Sequence, residues 1–142
     1  MLNEIGSIDP LLWPMYHEDI ELSYRAWKRG WRIRYAPNAI AHHKGKHSSG
    51  RVFTEGQLRS FVRQNEYLTV WKDVTDAWLM TQHLALIPTR LAVAAVRRDA
   101  PTLVGFVRAV CRLPYVLRRR RVVRSHMHLS DREVIQRIST IV

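Results

Sequence analysis

Residues Asp19 to Gly30 read Asp-Ile-Glu-Leu-Ser-Tyr-Arg-Ala-Trp-Lys-Arg-Gly, and Trp31 to His42 continue as Trp-Arg-Ile-Arg-Tyr-Ala-Pro-Asn-Ala-Ile-Ala-His. The first half has the marks of a helix. Asp19 suits an N-cap, Glu21 complements the first-turn dipole, Leu22 and Ala26 form an apolar i,i+4 pair, and Lys28 and Arg29 precede a stop at Gly30. The second half changes period: Trp31 to Tyr35 alternates apolar and basic residues, as a half-buried strand does, and ends at Pro37. Ala39 to His42 predicts a second short strand. One helix followed by two strands gives an α/β reading for residues 1–53.

On either side the punctuation differs. Ile8 to Tyr16 contains Pro10, Trp13, Pro14 and Tyr16, which predicts a packed turning loop. Lys44 to Arg51 is polar and contains glycine, so it reads as a loop. From Thr54 the period becomes helical, with Leu58, Phe61, Val62, Asn65, Leu68 and Trp71 or Lys72 on one stripe. Further helices are predicted at about 76–86, 89–98 and 102–117, divided by Pro88, Pro101 and Pro114, and Ser130 with Glu133 forms a capping box that opens a last one. Residues 54–142 therefore read as an all-helical C-terminal extension.

The chain has 142 residues, enough for one modest domain, and 46% of them are apolar, enough for a core. A single cysteine, Cys111, excludes an internal disulfide framework and a Cys-rich zinc module, which points to a reducing compartment. The first eight residues show no signal-peptide pattern. Arg90, Arg108 and Arg112 interrupt the apolar runs, so no spanning segment is expected. The net charge of +11 is uneven: residues 84–142 carry 12 basic residues, all arginine, against 3 acidic ones. Arg118, Arg119, Arg120 and Arg121 are consecutive, and guanidinium groups suit the phosphates of an anionic membrane surface or of nucleic acid. Leu103, Phe106, Val107, Val110 and Leu113 would give the preceding segment an apolar face, with Arg108 and Arg112 also able to reach headgroups.

Two clusters could carry chemistry. His17-Glu18-Asp19-Ile20-Glu21 sets adjacent carboxylates at a loop-to-helix junction, where one can act as a general base while the other holds a neighbour. Acidic residues at a helix start also serve the dipole alone. His42, His43 and His47 follow the second predicted strand, where imidazole could ligate a metal or simply occupy a loop.

Gly6, Asp9, Tyr16 to Arg25, Gly30-Trp31 and Tyr35 to His43, taken together and in order, resemble the acceptor-side half of family 2 glycosyltransferases, enzymes of GT-A fold. The likeness is close over about a third of the chain and looser across the helical part. It implies that Asp19 is the catalytic base that deprotonates an acceptor hydroxyl, with Glu18 as its partner. By the same resemblance His42 would help hold a divalent metal, Mn²⁺ or Mg²⁺, on the donor diphosphate. Arg25 would fix the helix, Trp13 and Tyr16 would border the acceptor pocket, and Lys44, Ser48, Ser49 and Arg51 would belong to a loop over the donor phosphates. The implied substrates are a nucleotide-sugar donor and a glycan or lipid-linked acceptor, at the inner, cytoplasmic face of a membrane.

The sequence departs from that family in two ways. Ile20-Glu21 stands where an apolar residue and Asp are usual, and neither a nucleotide-binding βαβ unit nor an Asp-X-Asp motif precedes Glu18. The donor half is expected from a preceding segment or a separate chain, and these residues alone are expected to be inactive. The competing expectations are a basic module that binds nucleic acid, for which no helix-turn-helix, zinc-finger or RNA-recognition signature is present, and a helical adaptor using the stripe Leu58, Phe61, Val62 and Leu68.

Overall fold

A computed structural model describes residues 2–14, 16–42 and 49–140. In chain order these form α1 (Leu2–Ile5), a 3₁₀ turn (Pro10–Leu12), α2 (Glu18–Lys28), α3 (Ser49–Val52), α4 (Glu55–Asp73), α5 (Ala77–Val96), α6 (Ala100–Cys111), α7 (Leu113–Ser125) and α8 (Asp131–Ser139). No strand and no sheet is present among the described residues, which overturns the α/β reading. Trp31–Tyr35 and Ala39–His42 are irregular, and Ile33, Tyr35 and Ile40 are exposed. A strand needs a neighbour to take its N–H and C=O groups, and none lies alongside among the described residues. The amide of Trp31 instead donates to the carbonyl of Ala26 (3.1 Å) and that of Ala39 to Ala36 (3.0 Å), the bonds of a helix exit and a turn.

The helical expectations fare better, with shifted boundaries. Thr54 caps α4 through a reciprocal box with Gln57, and Ser130 caps α8 in the same way with Glu133. Pro88 does not divide α5, which runs unbroken from Ala77 to Val96. Proline removes one intrahelical donor, but Pro88 is exposed, so the carbonyl it leaves without a partner is not sealed in the core. The predicted break at Pro114 falls at Arg112, because proline is tolerated in a first turn and here sits at the start of α7.

Helix α4 is the axis. It packs along α6 and α7, and the core joins its Tyr67, Leu68 and Trp71 to Leu11 and Leu12 from the 3₁₀ turn, Ile87 from α5, Ala109 from α6 and Val116 from α7. The stripe considered as an adaptor surface is thereby taken up internally, with Leu58 and Leu68 buried. Gly105 sets the closeness of α4 and α6: a Cβ there would meet Arg63 Cβ at 2.6 Å and the Ser60 carbonyl oxygen at 2.8 Å. In contrast α5 leans only lightly on the rest. It is long and apolar enough to cross a membrane by length and composition, contrary to expectation, and only 11% of its most apolar window is buried. Trp78, Leu84, Leu86, Val93 and Val96 are exposed along it.

Replacing Gly105 by Ala should lower the unfolding free energy by about 1–3 kcal/mol, because the added methyl meets backbone as well as side chain. Urea denaturation monitored by circular dichroism would show it, and an unchanged midpoint would mean that α4 and α6 are not so closely apposed.

Candidate functional site

The chain enters α2 through two successive left-handed residues, Tyr16 (φ 73°) and His17 (φ 71°). Non-glycine residues pay for that conformation, and two in a row persist only when their surroundings fix them. Asn65 of α4 supplies the fixing from inside: its Nδ2 donates to the carbonyls of Leu12 (2.8 Å) and Tyr16 (2.9 Å). His17 thus occupies the N-cap position expected of Asp19, and Asp19 lies in the first turn, its carboxylate accepting from the amide of Ile20 at 2.8 Å.

The segment Glu18 to Lys28 then divides by face. Asp19 and Ile20 are exposed and Glu18 is half-buried, with one carboxylate oxygen sealed from solvent and lacking a hydrogen-bond partner. Glu21, Arg25 and Lys28 point inward and are buried. Arg25 pairs with Glu21 (2.8 Å) and donates to the carbonyls of Ile5 and Ser7. Lys72 of α4 donates to Glu21 and to Asp9 (2.8 Å), and Lys28 donates to Asp131 of α8 (2.8 Å). Asp131 also accepts from Tyr24 and from the amides of Thr75 and Asp76. Burial works against charge on Asp9 and Asp131, but Lys72 and Lys28 respectively hold these carboxyls below the usual range. The same balance acts on Lys72, where burial is outweighed by Asp73, Glu21 and Asp9 and the ammonium is held above the ordinary lysine value.

Asp73 is the exception in this network. It is fully buried, neither of its oxygens has a hydrogen-bond partner, and Lys72, its closest cation at 3.7 Å, is already committed to Asp9 and Glu21. Burial, only partly offset by Lys72, pushes its carboxyl up to about 8. Beside it opens a groove of about 880 Å³ between α2, α4 and α5. Val70 lines it from α4 and Val74 from the residue that caps that helix, Leu79, Leu86 and Val93 from α5, and Ile20 and Tyr24 from α2. Ile20 and Tyr24 also line the neighbouring hollow, to which Asp19 belongs.

The remaining expected site residues are scattered. Trp13 is exposed and Tyr16 half-buried on the loop before α2, with the Trp13 carbonyl accepting from Arg112 (3.2 Å). His42 is exposed at the end of the irregular segment. His43, Lys44, His47 and Ser48 lie outside the described residues, and Ser49 and Arg51 belong to the short α3. No group of three or more His, Cys, Asp or Glu that could hold a metal ion occurs among the described residues.

The arginines depart most from a simple basic patch. Arg112 donates to the Leu11 carbonyl (2.8 Å), and Arg108 donates to Ser60 Oγ (2.9 Å) while its guanidinium covers the Phe61 ring. Within the run, Arg120 donates to the Trp71 carbonyl (2.7 Å) and Arg119 lies 3.8 Å from Asp9, whereas Arg118 and Arg121 are exposed. The groove floor, Asp73 with Thr69, was missed by sequence reading; its only signal is polar residues four apart on a helix whose stripe is otherwise buried. Compared with protein-family models, with curated proteins and with solved structures, the chain gives no match.

Asp73→Asn tests the uncompensated carboxyl. Its raised pKa means that Asp73 contributes stability below about pH 4, the unfolded value, and that this contribution is lost as pH rises through about 8. The variant should match the parent near pH 4 and exceed it in melting temperature by a margin that widens towards pH 8. A margin independent of pH would show that Asp73 ionises normally.

Proposed function

We propose that this chain is the acceptor-side and C-terminal part of a glycosyltransferase that moves a sugar from a nucleotide-sugar donor to an acceptor hydroxyl. The observation that carries the reading is the two-faced α2: Glu21, Arg25 and Lys28 are locked into buried ion pairs, while Asp19 on the same helix is left exposed beside His17 and Glu18. A general base must be held firmly and yet remain open to its substrate. Asp19 takes the acceptor proton as the hydroxyl oxygen attacks the anomeric carbon, Glu18 shapes its surroundings, and the nucleoside diphosphate leaves. Donor binding falls to elements outside these 142 residues. The resemblance of Tyr16 to Arg25 to family 2 glycosyltransferases supports this assignment of roles, and the all-helical fold gives it no help.

Attachment to an anionic membrane surface belongs to the same reading. It is supported by the exposed apolar residues of α5, by Arg97 and Arg98 at its end, and by Arg118 and Arg121.

With the donor half present in cis or in trans, Asp19→Asn should reduce transfer of labelled sugar by about a hundredfold or more while donor binding is kept. Near-normal turnover would remove Asp19 from the role. In vesicle sedimentation, Arg118→Gln with Arg121→Gln should weaken attachment to anionic vesicles and leave the melting temperature unchanged, whereas Arg120→Gln should lower stability by about 1–3 kcal/mol through the bond lost at Trp71. Sedimentation indifferent to lipid charge would discard the electrostatic attachment.

A further inference from the structure

Two rows of side chains run along the side of α5 that faces the groove. Leu79, Leu86 and Val93 form an apolar row, and His83, Arg90 and the C-cap residue Arg97 form a polar one, each spaced by seven residues and all on the lining. The bundle is met by a different stripe of the same helix, in which Ile87 belongs to the core and Met80 and Leu91 pack against it. Seven residues fall about 20° short of two helical turns, so such rows slant along a straight helix, and a second helix crossing at about 20° follows them. Opposite stand Val70 on α4, Val74 at its cap and Ile20 on α2, so a helix lying in the groove would meet apolar side chains on both walls. From Leu79 to Arg97 the α5 wall extends roughly 27 Å, enough for about two and a half heptads.

The charges of the lining are unequally engaged. Arg63 pairs with Glu66 (2.9 Å), Asp99 pairs with Arg59 (3.2 Å), the oxygens of Asp73 are sealed from solvent, and His83 accepts from the Trp71 indole (3.1 Å). Arg90 and Arg97 are exposed and have no hydrogen bond or ion pair among the described residues. No acidic residue lies between Asp76 and Asp99, so α5 of a second copy would set arginine against arginine. A flat bilayer reaches the side of α5 away from the lining, where Trp78 and Val96 are exposed, and not a row set between two helices. We infer that this groove docks an amphipathic helix of a partner protein, its apolar stripe against Leu79, Leu86 and Val93 and its acidic side chains, one heptad apart, against Arg90 and Arg97. Apolar contact along such a seam supplies affinity, and the flanking charges select the partner and its direction. The docking is independent of the transferase reading.

Fluorescence anisotropy of labelled synthetic peptides titrated with the 142-residue chain tests it. The probes are three repeats of Glu-Ile-Ala-Ala-Leu-Glu-Lys, a scrambled peptide of the same composition without the apolar spacing, and three repeats of Lys-Ile-Ala-Ala-Leu-Lys-Glu. The scrambled peptide has the same net charge, so it accounts for the general attraction of any acidic peptide to a chain of net charge +11. The acidic heptad peptide should bind one to one and about tenfold or more tighter than either of the others. Leu86→Asp should abolish its advantage over the scrambled peptide, Arg90→Glu with Arg97→Glu should reverse its advantage over the basic one, and Arg118→Gln with Arg121→Gln should change neither. Leu86, Arg90 and Arg97 are all exposed, and the arginine pair carries the test if Leu86→Asp does not fold. Equal binding of heptad and scrambled peptides, or a preference indifferent to Arg90 and Arg97, would overturn the inference. Phosphatidylglycerol vesicles whose binding is lost in the Leu86 and Arg90 variants, without any peptide preference, would overturn it in favour of a membrane.

Discussion

The ammonium of Lys72 lies in the interior, out of reach of bulk solvent, and the placement of α2 follows from that fact. An isolated buried charge is costly, and leaving one partner of such a pair uncompensated typically costs about 3–5 kcal/mol. Asp9 and Glu21 therefore have to reach Lys72, Arg25 has to balance Glu21, and the loop carrying Asp9 and the helix carrying Glu21 are held against α4. Asp9, Glu21, Arg25 and Lys72 already sum to zero, so Asp73 is one carboxyl too many and is driven towards its neutral form. The electrostatics that fix α2 thus also leave an unmet polar group at the groove.

The chain uses many of its positive charges internally. Arg25, Arg108, Arg112 and Arg120 each link separate parts of the chain, and five of their contacts end on backbone carbonyls: those of Ile5, Ser7, Leu11, Trp13 and Trp71. A guanidinium can satisfy several acceptors at once while its stem covers apolar surface, which suits a small bundle whose N-terminal loops have no sheet to pair with. Net charge is consequently a poor guide to the surface: within the four-arginine run Arg119 and Arg120 are half-buried and engaged by other parts of the chain.

Local signals were legible where the physics is local. The capping box at Ser130, the change to helical period at Thr54, the stripe of α4 and the stop at Gly30 could be read from neighbouring residues. The period-2 pattern of Trp31 to Tyr35 could not tell whether a partner strand exists, because pairing is non-local, and the segment is irregular here. Within the candidate site the exposed carboxylates at the start of α2 were visible, but the roles of Glu21 and Lys72 were not. Glu21 reads as a first-turn dipole residue and Lys72 as an ordinary helix-end lysine until the fold brings them together over a separation of 51 residues. The floor of Thr69 and Asp73 was hidden for the same reason.

Lys28 and Asp131 are separated by 103 residues, and the carbonyl of Lys28 also accepts from the amides of His128 and Leu129. During synthesis α2 leaves the ribosome long before its counter-ion has been made. An unpaired ammonium favours hydration over burial, so Asp131 adds to the Glu21–Lys72 contact in holding α2 down. Without the α8 segment the buried Lys28 would be left with Thr75 as its side-chain partner and no counter-ion. Asp131 thereby ties α8 to α2 across most of the length of these residues, and the packing of the one depends on the presence of the other.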